Sequence, residues 1–454
     1  MRLQGSRLSQ IPDPVQRFGY DRDAERVGIV HFGIGAFHRA HEAWYTDMAL
    51  EAGDRDWLIT GVSLRSREVA TQMNPQDGLY TVSETSGSGR RVRVVGSVRN
   101  VVPATWNRAR VELLIAAETT RIASLTITEK GYCKAPDGSL DFELAEGGIF
   151  PFIANGLLRR REAGRPGITL LSCDNLSDNG AQLARLLGEY LDRRDPELRA
   201  WFERECACPS TMVDRIVPAT TAADRIEVER VIGMEDHAAV VTEPFSQWVI
   251  EDRFVSGRPG WDKVGAELVS DVRPYEMAKL RMLNGAHSAL AYIGLERGHT
   301  FVHQAIADPG IRDTVERLMR SEAAPTVTAA GGQDLDAYAS LLLQRFANPA
   351  LNHRLEQIAM DGSQKIPQRW LETLVARDRA GWNSPAIMAA LGAWLRHVRG
   401  DQRRVDDPLA GQLALAWTQN GAAGVVPAIF GAAGVLGGGW VPNPAQIDHL
   451  TGQL

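Results

Sequence analysis

Val27-Gly28-Ile29-Val30-His31-Phe32-Gly33-Ile34-Gly35-Ala36-Phe37-His38-Arg39-Ala40-His41 is the stretch whose reading decides the fold. A β-branched run breaks on Gly-x-Gly and re-enters a helix expected from Ala40 to about Glu51. That is how a dinucleotide-binding βαβ unit opens. The first glycine permits the tight turn, and the second lets a pyrophosphate approach the main chain. The phosphates then meet the helix N-terminus. Counting from Gly33, His38 stands where the third glycine of the usual pattern would be. Residues 1–26 ahead of this unit are polar and uneven, as expected of an arm over a domain surface.

Working outward, Trp57–Leu64 reads as the second strand. An NAD enzyme keeps an acid for the adenosine ribose at its end, and this chain has Arg65-Ser66-Arg67-Glu68 instead. The two arginines also suit a 2′-phosphate, so the residues leave NAD and NADP both open, and a charged loop without ribose contact is the plain alternative. Gly78–Ser83 and Arg91–Gly96 suggest a hairpin around Ser-Gly-Ser-Gly. Ile122–Thr128 and Gly167–Ser172 read as buried strands, the second leading into Cys173-Asp174-Asn175. Ligands of open α/β sheets gather beyond the C-terminal strand ends, which puts Asn175 within reach of one; an Asx-turn is its structural alternative. Gly180–Arg194 reads as a helix, and Met212–Pro218 and Glu243–Ile250 as further strands, the first with Asp214 inside it. The alternation predicts a mostly parallel sheet covered on both faces.

After Asp271 the strand runs stop and helical periods take over, at 301–307, 311–322, 335–346, 352–360, 385–398 and 408–419. The expected architecture is α/β, with a Rossmann-type domain over residues 1–270 and an all-helical substrate domain over 271–454. The Gly/Ala-rich stretch from Gly421 to Gly439 is interrupted by valines, leucine and phenylalanine, which favours a buried loop or helix ends over a linker.

The helical part opens on Pro274–Ala291, read as one helix with Asp271 as N-cap, Pro274 in the first turn and Gly294 as the stop. At about 100° per residue, Glu276, Lys279, Asn284 and His287 fall within an arc of roughly 140°. Hydride transfer from a carbinol carbon needs the hydroxyl proton taken by a base. Lysine ordinarily titrates near 10.4, too high for work at neutrality. Burial and a second cation such as His287 lower it, and an ionised Glu276 raises it. Asn175 and Asn284 are candidate donors to the developing alkoxide. A solvated polar face is the plain alternative for such a helix.

Bulk numbers narrow the class. The chain has 454 residues, 44% hydrophobic and 23% charged, as a globular protein of two domains would. A net charge of −6, with both signs mixed, argues against nucleic-acid and anionic-membrane partners. No segment reads as a leader or a membrane span. Four cysteines, with Cys206-x-Cys208 lacking zinc-knuckle spacing, suggest reduced cytoplasmic thiols and no metal. A zinc-dependent enzyme using His31, His38, His41 or His287, and a nucleotide sensor without catalysis, are the rival readings.

Lys279-x4-Asn284-x2-His287 resembles the signature of the mannitol dehydrogenase family, the polyol-specific long-chain dehydrogenases. The Gly33–His41 opening, Ser172–Asn175, Asp214–Pro218, Glu243–Phe245 and Asp361-Gly362-Ser363-x-Lys365 resemble family blocks in family order, across roughly residues 27–370. The resemblance implies a metal-free site in a cleft between the domains, taking NAD. It implies Lys279 as general base, Asn175 and Asn284 holding the oxyanion, His287 contacting substrate and Glu276 gating protons. Asp214 and Lys365 become substrate-site residues, and Gly33, Gly35, Phe37, His38, Arg39, Arg65 and Ser66 serve the cofactor. A monomer acting on a polyol and its ketose, of the mannitol/fructose or arabinitol/ketopentose type, is expected. Two departures count: Ser66 stands where NAD-preferring members often carry an acid, and Gln357 where mannitol-oxidising members often carry arginine. The run Gln357–Arg369 looks more like the branch that reduces fructuronate to mannonate. Arg369 or Arg354 would supply a cation for a carboxylate substrate.

Overall fold

The computed structural model describes residues 1–87 and 89–454, and divides into two units, Met1–Arg273 and Pro274–Leu454. The strands of the first unit are β1 (Val27–Phe32), β2 (Leu58–Ser63), β3 (Tyr80–Ser86), β4 (Gly89–Val95), β5 (Val98–Pro103) and β6 (Ile122–Leu125). β7 (Thr169–Ser172), β8 (Thr211–Asp214), β9 (Val240–Thr242), β10 (Gln247–Glu251) and β11 (Glu267–Val269) follow. Five of them form a sheet in the order β5-β2-β1-β6-β7, every neighbouring pair parallel. Both faces are covered. Val30 and Phe32 pack with Ile153, Leu157, Leu183 and Leu187; Ile29, pointing the other way, packs with Ala43, Leu50, Trp248 and Trp261. Each fully buried side chain of this kind contributes about 1.5–3 kcal/mol. This is the doubly covered parallel sheet expected from the alternation of strand and helix.

Two three-stranded sheets, β4-β3-β9 and β11-β10-β8, complete the unit. β3 and β4 pair antiparallel from Tyr80↔Val95 to Ser86↔Gly89. The expected Ser-Gly-Ser-Gly turn includes Ser88, which lies outside the described residues. The N-terminal arm is held down: Leu3, Ile11 and Val15 are buried with Val92, Val94, Val228 and Ile232.

Two expectations need correction here. The helix placed from Ala40 to about Glu51 starts at Ala36 and breaks at His41 (φ −124°, ψ −98°) into Ala36–Ala40 and Glu42–Glu51. The His41 ring is wedged among Phe37, Tyr45 and Trp248, and its Nε2 lies 3.0 Å from the Gln247 carbonyl. The strand placed at Glu243–Ile250 starts only at Gln247, and residues 243–246 link it to β9, because Glu243 is drawn out of the ladder. Its Oε1 accepts the Ile216 N–H at 2.7 Å, its carbonyl accepts from Arg215, and Pro244 has no N–H to give.

The second unit is built from helices, and no β-strand occurs among its described residues. Its centre is Gly285–Glu296, in which every residue from Gly285 to Leu295 is buried. Gly294 does not end this helix. It lies inside, where an added Cβ would come 2.7 Å from Leu355 and 2.9 Å from Ala305, so a hydrogen there lets neighbouring segments close in. The single expected helix from Pro274 is three pieces: Arg273–Ala278 is α, Lys279–Asn284 is π, and Gly285–Glu296 is α again. Leu318–Ala323 and Pro367–Leu371 are also π turns, and both pack against the first. The Gly/Ala-rich stretch continues the helix expected at 408–419. Ala410–Phe430 runs on through a break at Gly421 (φ 58°) before the chain turns away. No described helix is long and apolar enough to cross a membrane.

Candidate active site

Gly33 and Gly35 differ in what they permit. Gly33 has φ +95°, and a Cβ there would lie 2.0 Å from the Thr126 carbonyl oxygen, so only glycine fits. Gly35 donates its N–H to the Gly33 carbonyl at 2.6 Å, closing the turn. It is exposed, and an added Cβ would meet nothing nearer than that carbonyl at 3.8 Å. An open backbone face beyond the C-terminal end of β1 is the cradle that a dinucleotide requires. Phe37 lies beside it, half-buried and stacked on His41 at 5.0 Å. His38 and Arg39 are different: both side chains turn inward. Arg39 donates to the Gly35 carbonyl at 3.2 Å and to the Ala238 carbonyl. Both side chains therefore shape the turn from inside. At the end of β2, Arg65 and Ser66 are exposed. The Ser66 hydroxyl accepts the Glu68 N–H at 3.0 Å, and so starts the following helix.

Beneath the turn lie His31, His38 and Glu42, with three donor atoms within 4.8 Å of one another. The Glu42 Oε2 is 3.1 Å from the Nδ1 of each histidine. The imidazole rings are stacked, 3.4 Å apart at 16°. Lone pairs lie in the ring planes, so an ion about 2 Å from both nitrogens would stand roughly 1.7 Å outside each plane. Parallel rings thus fit hydrogen bonding to a shared carboxylate and do not fit a common metal. Burial holds the His38 imidazole down at about 3. Burial works to raise the Glu42 carboxyl, but hydrogen bonds from both histidines outweigh it and hold the group well below the carboxylate range. Thr126 spends its one hydroxyl proton on the Gly33 carbonyl at 2.7 Å, so His31 Nε2, 2.9 Å from the same oxygen, must be the donor between them. The cluster thereby reaches the turn.

Asn175 is exposed directly after β7. Its neighbour Asp174, buried, binds the loop after β6: it accepts the Ile127 N–H at 3.1 Å, the Thr128 N–H at 2.7 Å and the Tyr132 hydroxyl at 3.0 Å. Thr128 has φ 63°, an outlier for a β-branched residue, and strain of that kind gathers at functional loops. Sequence reasoning missed Asp174, Tyr132 and Thr128; the Asp-Asn pair at a strand end was the one available signal. Asp214 is buried at the end of β8. Next to it, Arg215 donates to the carbonyls of Ala40 and Glu243 and pairs with Glu84 at 2.5 Å.

In the second unit Lys279 begins the π turn, and it and His287 are each only 9% exposed. The solvated-face alternative fails on these two numbers. Glu276 and Asn284 are half-buried. An α-helix would leave Asn284 about 140° round from Lys279. A turn closed by i→i+5 bonds returns it towards the side of Lys279. The carbonyls at the π–α junction are held from outside: Asn284 accepts from Arg369 at 3.3 Å and Gly285 from the Trp370 indole at 3.1 Å. Arg369 also donates to the Ser288 hydroxyl at 2.8 Å. Trp370 was not among the expected site residues, because a tryptophan in a helical run reads as core. Lys365 donates to the Met360 carbonyl at 2.5 Å. Burial, then repulsion from Arg369, lowers its ammonium pKa.

His287 packs 4.8 Å from Phe346 and 5.3 Å from His353. Burial first, then repulsion from His353, Arg345 and Arg369, keeps it well below the usual imidazole value, so it is neutral. Its Nε2 has no hydrogen-bond partner among the described residues. Farther along this unit, Gln357, Met360, Arg354, Arg403 and Arg404 line a cavity of ≈ 560 Å³.

Comparison with known proteins covers nearly the whole chain. Residues 27–263 match the family model of the mannitol dehydrogenase Rossmann domain, and residues 271–424 that of the mannitol dehydrogenase C-terminal domain. The D-mannonate oxidoreductase of Escherichia coli K12 is 40% identical over 96% of this chain and 94% of its own. Among solved structures, Pseudomonas fluorescens mannitol 2-dehydrogenase, in a ternary complex with NAD and D-mannitol, superposes with a TM-score of 0.86. It is 34% identical, with 100% of this chain and 96% of that one covered. A substrate-free D-sorbitol dehydrogenase gives a TM-score of 0.91 at 31% identity, over 99% and 97% of the two chains.

Proposed function

Because the chain belongs to the mannitol dehydrogenase family, we propose that it transfers a hydride between NAD and a secondary alcohol of an open-chain polyol. The observation that carries the proposal is the buried helix that sets Lys279, Asn284 and His287 around a π turn. The nicotinamide, when bound, accepts the hydride. Lys279 takes the hydroxyl proton of the substrate as general base. The Asn284 carboxamide donates to the oxygen as charge develops on it, and Asn175 is assigned as a second donor. His287, neutral, uses its Nε2 to orient a neighbouring substrate hydroxyl. Glu276 passes the proton on from Lys279. Gly33 and Gly35 make the nucleotide turn, Phe37 flanks it, and Arg65 and Ser66 lie where the adenosine ribose is read. The first unit, to Arg273, serves the cofactor and the second the substrate.

A second reading has its own support. The cavity beside Gln357 carries three arginines against two carboxylates, Glu356 and Asp406, and the relative that is 40% identical is a mannonate oxidoreductase. Both favour a sugar acid, fructuronate reduced to mannonate, with Arg369, Lys365 and Asp214 near the substrate. A nicotinamide-absorbance screen over polyols and aldonates, with NAD and with NADP, tests both readings. Turnover of mannitol or arabinitol supports the first, and turnover of mannonate alone the second. Inactivity on all of them overturns the proposal.

A further inference from the structure

Trp106 is 60% exposed, an unusual state for so large an apolar ring. It stands three residues beyond β5, and the guanidinium carbon of Arg67 lies 4.6 Å from its ring centroid. Arg67 itself comes four residues after β2. β5 and β2 are parallel neighbours, paired through Ser63↔Pro103, so both residues extend from the sheet edge that also carries the Gly33–Gly35 turn. β5 lies roughly 10 Å from β1 across two strand spacings. That is the side of the turn on which an adenosine extends from its 5′-phosphate.

Both arms are fixed by local bonds. Ala104 N–H donates to the Ser63 carbonyl at 2.9 Å, and Trp106 N–H to the Pro103 carbonyl at 3.1 Å. The Ser63 hydroxyl donates to the Ser66 carbonyl, and Asn107 caps the next helix through the Arg110 N–H at 2.9 Å. Arg67, exposed, makes no hydrogen bond or ion pair among the described residues through its guanidinium. An acid that would hold the ribose hydroxyls of NAD is missing from the Arg65–Arg67 turn.

We propose that Trp106 and Arg67 form the adenosine platform of the nucleotide site. The base stacks on the indole and guanidinium planes, and the unspent N–H groups of Arg67 face the 2′ position of the ribose. The inference rests on the dinucleotide reading of the first unit and adds the residues that read the nucleoside end. A planar cation beside an indole suits any adenine, whereas free donors at the 2′ position suit a hydroxyl or, with more charge, a phosphate.

Calorimetric titration of the full-length protein with adenosine 5′-monophosphate and adenosine 2′,5′-bisphosphate tests the platform without turnover. Trp106→Ala should raise both dissociation constants about tenfold, the range for one base stacked on an aromatic ring, and Trp106→Phe should restore most of the loss. Arg67→Gln should weaken at least one of them. A larger loss for the bisphosphate shows that Arg67 reads a 2′-phosphate, and an equal loss that it serves the base and ribose hydroxyl. Unchanged constants in Trp106→Ala, with unchanged circular dichroism, overturn the platform. If the wild-type protein binds neither nucleotide, the dinucleotide reading itself falls, and the platform with it.

Discussion

The Gly33–Gly35 turn and the Lys279–His287 helix present chemistry by opposite means. At the turn, side chains are removed: one glycine is forced by a carbonyl 2.0 Å from its missing Cβ, the other leaves the backbone open. In the helix, side chains are brought together by a change of helical period, inside an element buried almost all round. A glycine turn is a local property and is written in its own residues. A π turn depends on what surrounds it, because the carbonyls at its junction need outside donors, here Arg369 and Trp370 from some 85 residues away. One device can be read from the chain; the other is known only when the chain is folded.

Substitutions can separate the two devices, beginning with the largest effect. Lys279→Ala should lower kcat at neutral pH by at least about a thousandfold, near the upper range for a lost general base. Nucleotide affinity measured by calorimetry should stay within twofold. Loss of both would mean that the helix and the turn fail together, which is contrary to their separate construction.

Gly33→Ala and Gly35→Ala should part company at the turn. The first strains a positive φ and meets a main-chain oxygen, so it should cost at least about 1–3 kcal/mol in chemical denaturation. The second has φ −85° and open space, and should leave stability within about 0.5 kcal/mol while weakening NAD binding. Equal stability of the two variants would contradict the assigned geometry.

Acid should act on both regions. His41 is held at about 4 by burial, and His287 is also far below its unfolded value of 6.5. Above pH 6.5 both states are neutral and no stability is lost. As pH falls below 6.5 the unfolded chain takes up protons that the folded chain does not, and stability drops towards the folded values. Each such histidine contributes a loss of about 2 kcal/mol by pH 5. Denaturation midpoints measured from pH 7.5 to pH 5 should fall, and less steeply in His41→Phe.

The smallest effect sharpens the comparison most. Trp370→Phe deletes the indole N–H that holds the Gly285 carbonyl together with part of a fully buried ring, which should cost at least about 1–2 kcal/mol of stability. If the π turn depends on that donor, kcat should fall several-fold with KM for NAD unchanged. A stability loss without any change in kcat would make Trp370 a packing residue alone.

Much of the first unit was legible because short β-branched or apolar runs and strand-ending glycines are local signals. The run Val27–Phe32 breaking on Gly33 showed the first strand and its turn, while the division of Val30 and Phe32 from Ile29 between the two faces came with the structure. The inward turn of the His38 and Arg39 side chains has a non-local reason. Whether a side chain after a glycine turn points out or in depends on partners such as the Ala238 carbonyl, some 200 positions later. The break at His41 follows from Trp248 and Gln247 in the same way. In the second unit the residue types of the site were visible. Their angular relation was not, since a period of 3.6 was assumed across six residues that do not keep it.

The π turn also sets a length constraint on the chain. There are three such turns among the described residues, and those at Leu318–Ala323 and Pro367–Leu371 both pack on the one at Lys279–Asn284. Each holds one residue more than the α turn it replaces, and the wider turn absorbs it. Removing one residue between Lys279 and Asn284 would let that turn relax to α with everything downstream, His287 included, kept within roughly 10° of its direction. Removing one from the α segments on either side would turn all that follows by about 100°, so the constraint on length falls on the flanking segments.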